Sequence, residues 1–180
     1  MLKYYLYAFV PAFLVLSTFV WVVVSLIGRW KSWRIAAGVF AGVIVSFIIG
    51  ACVAYAFGYR DAVSMTTIGG GAATYIVGPI TGSAIGASSE VMALSVAAGL
   101  VKSILVMTLT PFVARHIGLD NPRSALIFGG LMGTTSGVAG GLAATNPKLV
   151  PYGAMTATFY TGLGCLLGPS VIFIAIRALF

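Results

Sequence analysis

Two stretches of this sequence combine glycine with hydroxyl side chains at a density that suits ion binding. Residues 129–146 read GGLMGTTSGVAGGLAATN, in which thirteen of eighteen positions are Gly, Ala, Ser or Thr. Residues 66–89 read TTIGGGAATYIVGPITGSAIGASS, with seventeen such residues among 24. Amides at a helix start can hold an anion, whereas backbone carbonyls and hydroxyls can hold a cation such as sodium. These two windows, about sixty residues apart, are therefore predicted to form a binding site.

The candidate ligands are uncharged polar side chains, joined by one lysine that lies outside the windows. The predicted substrate-binding residues are Thr66, Thr67, Thr74, Thr81, Thr134, Thr135, Ser136, Asn146 and Lys102. A sodium ion is predicted near Thr134, Thr135 and Thr145. The glycines expected to shape the backbone there are Gly69, Gly70, Gly71, Gly133, Gly137 and Gly140.

Lys102 lies near the middle of an apolar segment, residues 91–114. Charged groups inside a bilayer are costly and usually functional. The alternative is that Lys102 extends to the interface or pairs with an acid such as Asp61 or Glu90. The sequence leaves both interpretations open.

Glycine spacing supports two readings of the windows. Glycines recur at every fourth residue, as in Gly78, Gly82 and Gly86, a pattern that lets membrane helices pack closely. The triplet at residues 69–71 exceeds what packing requires, because glycine lowers helix stability. Two Gly/Pro-interrupted apolar segments in corresponding positions are typical of transporters with discontinuous helices. We therefore favour broken or re-entrant helices that form a site over packing alone.

The composition indicates a membrane protein. Of 180 residues, 60% are apolar and 7% are charged, against roughly 25% charged in soluble domains. Stretches of about 20 apolar residues are long enough to cross a bilayer as helices. The prediction is an all-α polytopic membrane protein with two Gly/Thr-rich segments, the third and the fifth, that are broken or re-entrant. Its six apolar segments are about 5–27, 35–57, 62–86, 91–114, 124–145 and 152–176.

Several functions are disfavoured. The net charge of +7 comes from scattered basic residues, which suits lipid headgroups or an anionic solute better than nucleic acid. Neither a GxSxG elbow nor a phosphate-binding GxxxxGK[ST] motif occurs, so we predict no enzyme and no cofactor. Asp61 and the two Asn-Pro pairs, Asn121-Pro122 and Asn146-Pro147, are predicted helix starts. If all six segments cross, basic residues divide five to four and leave the orientation open.

Three stretches carry a resemblance to a known family: VAYAFGYRDAVSMTTIGGGAATYIVGPITG, GLVKSILVM, and NPRSALIFGGLMGTTSGVAGGLAATNPKLVPYGAMTATFYTGLGCLLGPS. Together they resemble the M subunit of the bacterial two-subunit malonate–sodium symporter. The resemblance covers about residues 39–180, and residues 1–38 do not share it. It implies two parts: an N-terminal helix with a basic link, residues 1–38, and an M-subunit-like membrane domain, residues 39–180.

The resemblance implies uptake of malonate with sodium as the coupling ion, by alternating access, in the bacterial inner membrane. It also implies a small L subunit as partner. Two alternatives stay open. One is a carrier for another short organic acid, such as glycolate or glycerate, coupled to protons. The other is a holin-like structural or pore-forming membrane protein without a substrate site.

Overall fold

Helices form every regular element in residues 33–179, the part of the chain that the computed structural model describes. The contacts below all lie within the compact unit of residues 37–180. The first predicted segment, residues 5–27, lies outside the described residues. The helices are α1 (Trp33–Ala56), α2 (Ala62–Ala73), α3 (Val77–Ile85), α4 (Ser89–Val113), α5 (Pro122–Met132), α6 (Thr135–Thr145), α7 (Val150–Leu167) and α8 (Phe173–Leu179). A 3₁₀ turn, Pro147–Leu149, precedes α7, and a π turn, Gly168–Ile172, joins α7 to α8.

Three stretches are long and apolar enough to cross a membrane: Ile35–Ala56, Ser89–Val113 and Pro147–Leu179. They coincide with the second, fourth and sixth predicted segments. Large apolar side chains such as Ile48 on α1 and Ile104 on α4 are more than half exposed, as expected for surfaces that face lipid rather than water. The all-α membrane fold is confirmed. Of the five predicted segments that lie within the described residues, these three are continuous spans.

Polar side chains cap the N-termini of the helices that follow the links between apolar segments. The Asp61 carboxylate accepts a hydrogen bond from the Ser64 amide at 2.7 Å and begins α2. Asn121 begins α5 in a reciprocal capping box with Ser124, and Asn146 accepts from the Lys148 amide to begin the 3₁₀ turn before α7. All three predicted helix starts are confirmed.

The third segment is a helical hairpin, called here the first hairpin (α2–α3). Its helices have 12 and 9 residues, so neither exceeds about 18 Å and neither can cross a core of about 30 Å. A Cβ added to Gly70 would lie 3.1 Å from the Gly78 Cα, and one added to Gly82 would lie 2.7 Å from Thr67 Cγ2. Because later residues of α3 meet earlier residues of α2, the two helices are antiparallel. The segment is re-entrant.

The fifth segment is the second hairpin (α5–α6), broken at residues 133–134. Helix α6 runs parallel to α4, since a Cβ on Gly137 would meet Ser103 and one on Gly141 would meet Thr110. It therefore ends beside the C-terminal end of α4. Helix α5 begins at that same end, after the short link 114–121. This segment also enters and leaves on one face.

The two hairpins enter from opposite faces. Helix α3 is antiparallel to α4, with Gly78 beside Ser95 and Gly82 beside Met92. The first hairpin therefore packs on the N-terminal half of α4, and the second hairpin on its C-terminal half. We call the membrane side at the N-terminal end of α4 the first face and the opposite side the second face. The residues between the two helices of each hairpin, 74–76 in the first and 133–134 in the second, are called its tip. Both tips lie near the middle of α4.

The two hairpins share a constant spacing of sixty residues at their caps and at their tips. The caps Asp61 and Asn121 lie sixty residues apart. The tip residues Thr74 and Thr134 have the same separation. Each hairpin therefore enters from its own face and turns after a similar length, as in an inverted repeat.

Candidate functional site

Lys102 lies at the meeting point of the two tips. Its half-buried ammonium donates to the carbonyl oxygen of Ala73, the last residue of α2, at 2.8 Å, and to the Ser46 hydroxyl on α1 at 3.4 Å. Both partners are neutral. The alternative pairing with Asp61 or Glu90 is not observed: Asp61 caps α2, and Glu90 lies in the first turn of α4, about 18 Å of helix away. The positive charge therefore has no carboxylate partner among the described residues.

Ser103, the next residue of α4, contacts the other tip. Its hydroxyl forms a short hydrogen bond with the hydroxyl of Thr134, which is fully buried. It also lies 3.0 Å from the carbonyl oxygen of Gly99, one turn earlier. Two consecutive residues of α4 therefore connect the first hairpin and the second hairpin.

Tyr160 on α7 also lies where Lys102 and Ser103 contact the two tips, a region called here the junction. Its fully buried ring packs against Gly133, where φ is +74° and a Cβ would strike the ring. The Lys102 ammonium lies 5.3 Å from the ring centroid, within the range of a cation–π contact. The phenol donates to the Gly42 carbonyl oxygen at 3.0 Å and shares a hydrogen bond of 2.7 Å with the Ser46 hydroxyl. One aromatic side chain thus links α1, the lysine and the second tip.

The helices that start at the tips lack a side-chain cap. Neither Ile76, before α3, nor Thr134, before α6, accepts a capping hydrogen bond. The Thr134 hydroxyl is bonded to the Ser103 hydroxyl and accepts no amide of α6. The first amides of α6, from Thr135 and Ser136, are therefore left for another acceptor, and such amides favour an anion. The half-buried Thr135 hydroxyl lies in the same turn.

At the start of α3, by contrast, the first amides already have hydrogen-bond acceptors. The Thr74 hydroxyl accepts weakly from the Ile76 amide at 3.4 Å. The Thr74 carbonyl accepts from the Val77 amide at 3.0 Å. Of the two tips, the second therefore offers the better anion-binding groups.

The structure brings together only some of the predicted site residues. Thr74, Thr134, Thr135 and Ser136 lie at the tips with Lys102. Thr66 and Thr67 are buried in α2, where each hydroxyl donates to the carbonyl four residues earlier. Thr81 is buried in α3, and its hydroxyl has no partner.

Thr145 and Asn146 lie at the opposite end of α6 from Thr134. Eleven residues separate Thr134 from Thr145, which is roughly 16 Å along the helix axis. The Thr145 hydroxyl donates to the Gly141 carbonyl at 2.7 Å, and Asn146 caps the following turn. One sodium ion cannot contact both Thr134 and Thr145, because sodium is held at direct oxygen contact.

The predicted glycines serve close approach. A Cβ on Gly69 would lie 2.9 Å from the Phe47 carbonyl oxygen, one on Gly70 would meet Gly78, and one on Gly71 would strike Ser95. Gly137 meets Ser103, whereas Gly140 faces only the flexible Met107 side chain. Their density is explained by backbone packing of the hairpins, and only Gly133 also requires a positive φ. The glycines therefore let the hairpin tips approach α4 closely.

Four residues of the junction were not predicted from the sequence: Ser46, Ser103, Tyr160 and Thr161. The Thr161 hydroxyl donates to the Ala157 carbonyl and lies 3.5 Å from the Gly133 carbonyl. Two of the four carried a signal. Ser46 is the only Ser or Thr in the sequence of α1, and Ser103 directly follows the intramembrane lysine. Tyr160 and Thr161 lie in an apolar helix, and no comparable sequence feature distinguishes them from their neighbours.

Comparison with known protein families identifies the family of this chain. The profile described as malonate/sodium symporter MadM subunit matches residues 7–180. The chain belongs to the MadM family. No significant match was found among curated proteins or among solved structures.

Membership in the MadM family extends further toward the N-terminus than expected. The match begins at residue 7 rather than near residue 39, which corrects the expectation that residues 1–38 differ from the family. MadM proteins are transporter subunits rather than enzymes, and the three spans agree with a membrane protein. The junction around Lys102 can accordingly be considered as a site for a transported ion.

Proposed function

We propose that this chain is the subunit that binds malonate and carries it inward with sodium, and that malonate binds at the junction of the two hairpin tips. The observation that carries the proposal is the Lys102 ammonium. It is half-buried within a membrane span, and its partners are neutral oxygens. A buried charge without a counter-charge is costly unless a ligand completes it.

The chemistry of malonate fits the groups around this lysine. Malonate is a short dicarboxylate with a negative charge at each end. Lys102 would bind one carboxylate, and the amides at the start of α6, with the Thr135 hydroxyl, would bind the other. The proposal uses groups from α4 and from the second hairpin, which Ser103 and Thr134 hold together.

Alternating access would follow from the arrangement of the hairpins. Because they enter from opposite faces, each tip separates the junction from one side of the membrane. Transport requires that one tip move aside at a time while malonate is bound. Sodium would lower the cost of moving the dianion through an apolar interior by neutralising part of its charge. The membrane would be the bacterial inner membrane, and a small L subunit would be the partner chain.

The test is labelled malonate uptake into proteoliposomes that contain this chain with its L subunit. Uptake should saturate and should rise with an inward sodium gradient. The Lys102→Met variant should insert normally and lose uptake. Competition by excess glycolate and glycerate, measured beside competition by malonate, would reveal a different organic acid as substrate.

Two outcomes would overturn the proposal in distinct ways. Uptake driven by a proton gradient and indifferent to sodium would keep a carrier but change its coupling ion. Leakage of unrelated solutes without saturation would indicate a pore. In either case the Lys102→Met result would show whether the junction takes part.

A further inference from the structure

Thr81 stands apart from the other buried threonines. Its side chain is fully buried, and its hydroxyl is the one buried side-chain polar atom of the described residues that lacks a hydrogen-bond partner. Thr66, Thr67 and Thr110 are equally enclosed, yet each donates to a carbonyl of its own helix. An unpaired buried hydroxyl is costly, and a bound water or ion is a common explanation for one.

Two glycines lie close to the Thr81 hydroxyl. Its hydroxyl lies between Gly70 on α2 and Gly168 at the end of α7: a Cβ on Gly70 would lie 3.4 Å from it, and one on Gly168 would strike it. Gly168 begins the π turn, in which its carbonyl accepts from the Phe173 amide five residues later. π turns inside helices frequently mark functional sites.

Pro169 removes one backbone donor at the end of α7. Proline has no amide hydrogen, so it cannot donate to the Cys165 carbonyl as an α-helix requires. The Ser170 hydroxyl donates to the neighbouring Leu166 carbonyl at 2.6 Å and not to that of Cys165. The Cys165 carbonyl therefore lacks its α-helical donor, and backbone carbonyls freed in this way can hold a coupling cation in transporters.

We propose that the Thr81 hydroxyl, with backbone oxygens at the end of α7 that include the Cys165 carbonyl, forms a site for a sodium ion. The ligand is a small monovalent cation, since these groups are uncharged oxygens. The site would lie about 7 Å along α3 from the first tip. A cation there and an anion at Lys102 would attract one another across an apolar interior. This assignment rests on the proposed function for its role in coupling, and it differs from the sodium position expected near Thr134.

The test compares Thr81→Val with Thr81→Ser, because valine keeps the shape of the side chain and removes only the oxygen. The matched control is Thr110→Val: Thr110 is also buried and also packs against a helical glycine, Gly141. Its hydroxyl, however, donates to its own helix at the Val106 carbonyl.

The first measurement is independent of transport. The melting temperature of the purified complex with its L subunit is recorded in sodium chloride and in choline chloride. Sodium should raise that temperature for the unmodified protein, Thr81→Ser and Thr110→Val, and should have no effect on Thr81→Val.

The second measurement is the sodium concentration that gives half-maximal malonate uptake. Thr81→Val should raise it by about tenfold or more, the loss expected for one cation ligand. Thr81→Ser and Thr110→Val should leave it within about threefold. The malonate concentration for half-maximal uptake at saturating sodium should stay near its original value in all three variants.

The outcomes separate this site from the malonate site. A sodium response that persists in Thr81→Val would overturn the assignment and indicate a bound water, while the malonate proposal stands. A sodium response that is lost in Thr81→Val would support the site even if malonate proves not to be the substrate. Absence of any sodium response in the unmodified protein would overturn the site.

Discussion

Lys102 and Ala73 are joined by a hydrogen bond of 2.8 Å from the lysine ammonium to the carbonyl at the C-terminal end of α2. The carbonyl end of a helix carries a partial negative charge and stabilises a nearby cation. This contact explains how a lysine remains in the middle of a span without an acidic partner. It also leaves most of the positive charge for an anion.

Replacement of Lys102 by methionine should abolish the attraction for malonate. We expect the uptake rate at low malonate to fall by about a hundredfold or more, because loss of a partner from a desolvated charge pair has an effect of this size. Lys148→Met is the control, since Lys148 is exposed in the link before α7. Uptake by Lys102→Met within about threefold of the original would exclude the lysine from the site.

Replacement of both Thr134 and Thr135 by valine should remove hydroxyls at the second tip. We expect loss of malonate uptake with intact assembly, because the Ser103 hydroxyl keeps its contact with the Gly99 carbonyl. The stability lost with the Ser103–Thr134 bond should be about 1 kcal/mol. Thr108→Val is the control: Thr108 is exposed on α4 and bonds only its own helix.

Two measurements check this pair of substitutions: uptake in proteoliposomes, and co-purification of the chain with its L subunit. Normal uptake by the double variant would remove the second tip from the site. Failure to co-purify would instead show that Thr134 is needed for assembly.

Replacement of Gly99 by alanine should displace the first tip. The added Cβ would strike the backbone of Tyr75 and lie 2.7 Å from the Gly71 carbonyl oxygen. We expect a loss of stability of about 1–3 kcal/mol and a marked fall in uptake. The matched variant Gly38→Ala, on α1, has nothing within 4 Å of its new Cβ and should be neutral or slightly stabilising. Melting temperatures of the two purified variants test the difference.

The spans and the positions of the breaks could be predicted from the sequence, because apolar length and glycine density are local properties. The tertiary partners could not. Lys102 contacts Ala73 and Ser46, which lie 29 and 56 residues away, and charge alone suggested Asp61 or Glu90 instead. The sequence likewise placed Asn146 in the site, because an amide beside a hydroxyl-rich window resembles a ligand as much as it resembles a cap. The two roles can be distinguished only in the structure, where α6 places Asn146 at the opposite end from the second tip.

The re-entrant hairpins change the prediction of membrane orientation. With both hairpins returning to their own face, the links on the second face carry Arg115, Arg123 and Lys148. Within residues 37–179, which the structure describes, the links and helix ends on the first face carry two basic residues, Arg60 and Arg177. Since basic residues gather on the cytoplasmic side, we expect the second face to be cytoplasmic.

Cysteine labelling in intact bacteria tests this orientation. In a background with Cys52→Ala and Cys165→Ala, single cysteines are placed by Ser89→Cys at the first face and His116→Cys at the second; both positions are exposed. A membrane-impermeant maleimide should label the first variant and label the second only after the cells are opened. The reverse pattern would invert the orientation, and equal labelling of both in intact cells would contradict hairpins that enter from opposite faces.

Replacement of Asn146 by alanine distinguishes a ligand from a cap. Asn146 accepts from the Lys148 amide at the far end of α6 from the tip, so its loss should weaken the start of the following helix by about 1 kcal/mol. The malonate concentration for half-maximal uptake should not change, because the residue lies roughly 16 Å of helix from Thr134. Asn146→Asp should restore the stability, since aspartate caps as well as asparagine. If Asn146→Ala instead raised the half-saturating malonate concentration by about tenfold without lowering the melting temperature, malonate would contact the second-face end of α6 and the junction at Lys102 would not be the whole site.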